Sequence, residues 1–183
     1  MNEKSIGLIE LSSIAAGFLV ADTMLKAADV RLHLSRSICS GKYMVVVAGD
    51  AADVAGAVAA GRAVAEGCLI DSFVITQVHP DVLVAIGRTG VAPPEGAIGV
   101  LESFNVATLL RAADAAAKNA NVRLLEVRLA MAMGGKAFFT VTGDVASVQS
   151  AINAGRAVVA EAGMLVNAVV IARPHPDVYR EMV

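Results

Sequence analysis

From Ser5 to Leu11 the chain reads as a short, mostly apolar run, and from Ile14 the apolar residues change period. Ile14, Phe18, Ala21 and Leu25 recur at spacings of four, three and four. The first run predicts a strand and the second one face of a helix. Val30, Leu32 and Leu34 then alternate with Arg31, His33 and Ser35, the period of a half-buried strand. Tyr43 to Ala48 is more continuously apolar and predicts a second, better buried strand. Asp50 stands where an N-cap belongs, before an Ala-rich helix expected to end near Gly67. Leu69 to Thr76 closes the sheet, and the His-Pro-Asp-Val stretch from His79 opens a short terminal segment.

The whole pattern then repeats. Ile6-Gly-Leu-Ile-Glu10 returns as Ile98-Gly-Val-Leu-Glu102, an offset of 92 residues that also pairs Asp22 with Asp114, Lys26 with Lys118 and Val30-Arg-Leu32 with Val122-Arg-Leu124. The offset becomes 94 at Gly41-Lys42 and Gly135-Lys136, and 96 at His79 and His175. The second copy therefore holds two extra residues before its Gly-Lys turn and two more before Gly163. Val106, Leu110, Ala113 and Ala117 repeat the first helical face, and Asp144 repeats the N-cap. Each copy is predicted to run strand, helix, strand, strand, helix, strand, an α/β (α+β) fold. Residues 1–87 form one domain, the Gly- and Pro-rich stretch 88–97 a linker, and residues 98–183 a second domain.

Composition narrows the classes. Hydrophobic residues make up 56% of the chain but aromatics only 4%, so close packing rests on Ala, Val, Leu, Ile and Met. The longest apolar runs fall short of the roughly 18 residues of a membrane span, and the N-terminus has no basic head followed by an apolar core. No membrane partner and no export are expected. A net charge of −2 with interspersed signs offers no basic face to nucleic acid. Two cysteines, Cys39 and Cys68, make no disulfide framework, which points to a reducing cytoplasm.

No catalytic constellation is present, so an enzyme is not expected. The Gly-Lys turns lead into predicted strands, and neither places Ser or Thr after the Lys as a phosphate loop requires. His33, His79 and His175 read as structural, and Cys68 as a small buried hydrophobe between helix and strand. Cys39 stands in a predicted turn, where an inert thiol is the default reading.

The doubled Ile-Gly-x-x-Glu opening, the Asp22-x-x-x-Lys26 passage into Val30-Arg-Leu32, and the Gly41-Lys42 to Gly49-Asp50 strand together resemble the tandem-domain shell proteins of bacterial microcompartments. The resemblance spans essentially the whole chain. The Ile38-Cys39-Ser40-Gly41-Lys42 stretch is similar to the propanediol-utilisation shell protein T type. The resemblance implies two ferredoxin-like microcompartment domains and a homotrimer forming a pseudohexagonal tile, with the loops before the Gly-Lys turns meeting on the threefold axis. Ser37, Ile38, Ser40 and Gly41, and Met131, Ala132, Met133 and Gly134, would then line the opening. It also implies a [4Fe-4S] cluster, one per trimer, held by three Cys39 thiolates with a nonprotein fourth ligand. Pro often follows the cysteine in that type, whereas this chain has Ser40, so a looser loop is expected. Lys26, Lys118 and Arg173 would lie at tile edges, with other shell proteins and an enclosed redox enzyme as partners.

Symmetry supplies the chemistry, since such a cluster needs several thiolates and one chain offers one suitable cysteine. The Leu124-Leu125 phase shift suggests a bulge that moves the second, cysteine-free loop away from the position of the first. Two other readings stand beside this one: a tile whose opening passes a metabolite without a cluster, and a trimeric small-molecule-sensing regulator.

Overall fold

The computed structural model describes residues 4–86, 96–130 and 134–182. Its contacts divide the chain into two units, residues 1–78 and 79–183. The first contains β1 (Ser5–Leu11), α1 (Ile14–Ala27), β2 (Arg31–Ile38), β3 (Lys42–Gly49), α2 (Ala51–Val64) and β4 (Leu69–Ile75). The second opens with a short helix, α3 (Pro80–Ala85). It continues through β5 (Ala97–Ser103), α4 (Val106–Asn119), β6 (Arg123–Leu129), β7 (Ala137–Gly143), α5 (Val145–Glu161), β8 (Leu165–Ile171) and α6 (Pro176–Met182). The predicted strand and helix order is observed in both copies.

Each unit has one antiparallel sheet of four strands, ordered β2-β3-β1-β4 and β6-β7-β5-β8. The strand that opens each repeat is central, which explains why Ile6, Leu8 and Ile9 of β1, like Ile98 and Leu101 of β5, are fully buried. In the first unit, Ile9 and Leu11 pack with Val45 and Val47 of β3, Val20 and Met24 of α1, and Val54 and Val58 of α2. Ser13 caps α1 by accepting from the Ala16 amide at 3.3 Å, and Asn105 caps α4 by accepting from Thr108 at 2.7 Å. Asp144 caps α5 through the Ser147 amide at 2.9 Å, whereas Asp50 occupies the N-cap of α2 without a side-chain cap bond.

Three details depart from the sequence pattern. The stripe Ile14, Phe18 and Leu25 is exposed, and α1 instead buries Gly17, Val20, Ala21 and Met24. The repeated stripe on α4, with Val106, Leu110, Ala113 and Ala117, is buried. A register shift does fall between Leu124 and Glu126, but an equivalent shift falls between Leu32 and Leu34, so the bulge belongs to both repeats and does not set their loops apart. The two extra residues before Gly163 have gone into the helix: α5 has 17 residues and α2 has 14.

Candidate functional site

The first Gly-Lys turn closes the hairpin of β2 and β3. Ile38 pairs with Lys42 across the hairpin, and Cys39–Gly41 form a single 3-10 turn between them. Ile38 is buried and roots the turn, Cys39 is half-buried, and Ser37, Ser40 and Gly41 are exposed. Ser40 has φ 69 and ψ 27, and Gly41 follows at φ 71. Two successive left-handed residues turn the chain sharply, at a cost of about 1 kcal/mol for a residue with a Cβ at the first position. Proline is locked near φ −65° and cannot make this turn. Ser40 therefore does more than loosen the loop: it allows a backbone conformation that proline forbids.

The base of the turn is held by an ion pair that local sequence pattern does not announce. Lys42 Nζ lies 2.9 Å from Glu10 Oε1, and the Glu10 side chain is fully buried on the central strand. Beside it the Ser35 and Tyr43 hydroxyls lie 3.0 Å apart, linking β2 to β3. The available signal was the joint repetition of Ile-Gly-x-x-Glu and Gly-Lys, which ties a glutamate to a lysine 32 residues away.

Neither Cys39 nor Cys68 is in a disulfide. Cys68 packs against the core of the first unit and donates from Sγ to the Ala65 carbonyl at 3.2 Å, the packing role expected of it. His79 and His175 cap their short helices, each Nδ1 accepting an amide two residues on, from Asp81 and Asp177, at 3.3 Å. Among the described residues no three His, Cys, Asp or Glu side chains gather to hold a metal. A cluster built on Cys39 would fit only with thiolates from further copies of the chain.

In the second unit, Gly134 and Gly135 are both left-handed, at φ 61 and φ 86, and lead into β7. Ala130 turns the chain out of β6 at φ 47 and is buried. Met131, Ala132 and Met133 lie outside the described residues. A strand follows both Gly-Lys turns, as the rejection of a phosphate loop required. Lys26 and Asp22 pair at 2.6 Å on an exposed face, while Lys118 and Asp114 pair at 2.5 Å with Asp114 nearly buried. Arg173 is exposed just beyond β8, and its repeat equivalent is Gln77.

The BMC domain family matches residues 5–78 and 97–174, one match over each sheet and its helices. The chain belongs to this family. As a tandem BMC-domain protein it is a structural component of a bacterial microcompartment shell in the cytoplasm. It is 40% identical over 180 residues to the bacterial microcompartment shell protein PduT of Citrobacter freundii, covering 98% of both chains. The carboxysome assembly protein CcmO of Synechococcus elongatus is 31% identical over 96% of this chain and 67% of its own length. A crystal structure of a microcompartment protein from Desulfitobacterium hafniense superposes with a TM-score of 0.90 at 47% identity, covering 96% of this chain and 98% of that one. PduT and CcmO are a shell protein and an assembly protein rather than enzymes. The BMC family assignment also displaces the sensing-regulator reading.

Proposed function

We propose that this shell protein forms a homotrimeric tile in which three Cys39 thiolates meet on the threefold axis and hold one [4Fe-4S] cluster. The observation that carries the reading is Cys39 itself, half-buried at a tight hairpin turn of one repeat, where the equivalent loop of the other has no cysteine. A cluster so held supplies one-electron transfer between the two faces of the shell. The chain's own contribution is positional. Ile38 anchors the turn, the Ser40-Gly41 pair sets its path, and the Glu10–Lys42 bridge fixes the first residue of β3 against the central strand. Ser37, Ile38, Ser40 and Gly41, together with Gly134, would line the opening on the axis. Lys26, Lys118 and Arg173 would face neighbouring tiles, and an enclosed redox enzyme would exchange electrons or a cluster.

Anaerobic reconstitution followed by EPR of the reduced protein tests the assignment. The wild-type protein is expected to show the signal of a reduced cluster and Cys39→Ser to lose it. A Cys39→Ser protein with an unchanged signal overturns the ligand assignment. A wild-type trimer that takes up no iron or sulfide favours the metabolite-passing tile.

A further inference from the structure

The hairpins before the two Gly-Lys turns carry the same arginine in different company. Arg36 of β2 and Arg128 of β6 correspond at the offset of 92. Arg128 donates from Nε to Glu126 Oε2 at 2.7 Å, and its guanidinium lies 6.0 Å from the centre of the Phe138 ring. In the first repeat Leu34 stands at the Glu126 position and Met44 at the Phe138 position. Both partners are gone and the arginine remains. Among the described residues, Arg36 Nε is buried with no hydrogen-bond partner. An arginine N–H buried without an acceptor is destabilising, and such local violations gather at functional sites.

The residues around Arg36 do not neutralise it. Period-two alternation puts Arg36, Ile38, Lys42, Met44 and Glu10 on one face of the sheet, opposite the Ile9, Val45 and Val47 that pack against the helices. Glu10 on that face is taken by Lys42 at 2.9 Å. Asp71, opposite Glu10 on β4, accepts from the Ser72 amide through Oδ1 at 2.7 Å. Between Asp29 and Asp50 the chain holds Arg31, Arg36 and Lys42 and no acid, whereas the matching stretch of the second repeat holds Glu126. The first hairpin therefore carries a positive charge without a carboxylate partner three residues before Cys39, about 10 Å along the strand. The repeat without a loop cysteine has its arginine neutralised, and the repeat with one does not.

We infer that Arg36 tunes the cluster proposed above, its guanidinium favouring the reduced state and so raising the reduction potential. The inference rests on the cluster reading. Three Cys39 thiolates bring three negative charges to the axis, and reduction adds one electron, with no bond made or broken. Three Arg36 side chains stabilise the reduced state more than the oxidised one, because Coulomb attraction grows with the charge it meets. Arg36 acts through space and not as a ligand, since a guanidinium has no lone pair to offer a metal.

An EPR-monitored redox titration of the reconstituted full-length assembly, with dithionite as the electron donor, tests it. Arg36→Met is expected to lower the reduction equilibrium constant about tenfold or more, and tenfold is about 59 mV for one electron. Arg36→Lys keeps the charge and should stay within about threefold of the wild type. Arg31→Met removes an exposed charge at the far end of the same strand, about 25 Å from Cys39, and should shift the constant less than about twofold. Leu34→Glu gives Arg36 the carboxylate that Arg128 has and should lower the potential as Arg36→Met does, so it carries the test if Arg36→Met takes up no cluster. Constants for Arg36→Met and Leu34→Glu within about threefold of the wild type overturn the tuning role and leave the cluster standing. Equal shifts from Arg36→Met and Arg31→Met, or from Arg36→Met and Arg36→Lys, overturn it in the same way. A wild-type assembly that takes up no iron or sulfide overturns the cluster and this role together.

Discussion

In the first repeat Gly17 of α1 lies directly against Tyr43 at the start of β3, so close that a Cβ on the glycine would sit 2.2 Å from the ring. In the second repeat the equivalent positions hold Leu109 and Ala137, both fully buried. The large side chain has moved from strand to helix while the sheet order and strand register stayed the same. The same two repeats differ in the turn that follows β2 or β6, in the exposure of their first long helix, and in their caps. Duplication kept the backbone and left each surface and each buried pair to diverge, so the asymmetry between the repeats lies in residues that the fold itself does not dictate.

Exchanging that buried pair breaks the comparison most severely. Tyr43→Ala is expected to cost about 3–5 kcal/mol through the cavity it leaves. Gly17→Leu alone should cost about 1–3 kcal/mol or more by overpacking. The double variant recreates the arrangement of the second repeat and should recover most of the loss, a coupling that chemical denaturation of all four proteins would measure. Purely additive costs would show that the two repeats pack this region differently.

The Glu10–Lys42 pair comes next. Glu10→Ala leaves Lys42 at the base of the Cys39 turn without its carboxylate, and a loss of about 3 kcal/mol is expected, at the lower end for buried pairs because Lys42 is partly solvated. Denaturant midpoints compared with those of Glu10→Ala/Lys42→Met would check it, since removing both charges should cost less than removing one.

The turn itself gives a smaller effect with two signs. Ser40→Gly should stabilise by up to about 1 kcal/mol, because glycine takes φ 69 without a Cβ penalty. Ser40→Pro should destabilise by more than that, because its ring forbids the observed turn. If the proline variant proved the more stable, the Cys39 turn would have to adopt another backbone path.

The smallest contrast is between the caps. Asp144 has its pKa lowered, first by the Ser147 hydroxyl and then by the Ser147 amide. A depressed folded pKa means that its stabilising contribution is present above the unfolded carboxylate value and is lost as pH falls through the folded one. Asp144→Asn should therefore flatten the acid limb of the stability profile slightly. Thermal melts between neutral and strongly acidic pH would show the difference.

The element order was legible because the periods of two and near 3.6 appear twice, and a repeat corroborates each weak segment with its partner. The inward face of α1 was not legible. A glycine beneath a tyrosine carries no hydrophobic signal, so Gly17 hid the buried face while Ile14, Phe18 and Leu25 advertised another. The Cys39 turn was visible as an interruption before an apolar strand, but its left-handed pair was not, since Ser40 gives no cue for positive φ. The bridge from Glu10 to Lys42 depends on a strand pairing across 32 residues, which local pattern cannot reveal.

Whether three copies of Cys39 hold a cluster between them is the most direct test of the proposed tile. Iron and acid-labile sulfide should be assayed in the anaerobically purified wild-type assembly and in Cys39→Ser. A cluster on the threefold axis predicts about four irons and four sulfides for every three wild-type chains and next to none in the variant. Equal contents in the two proteins would contradict it.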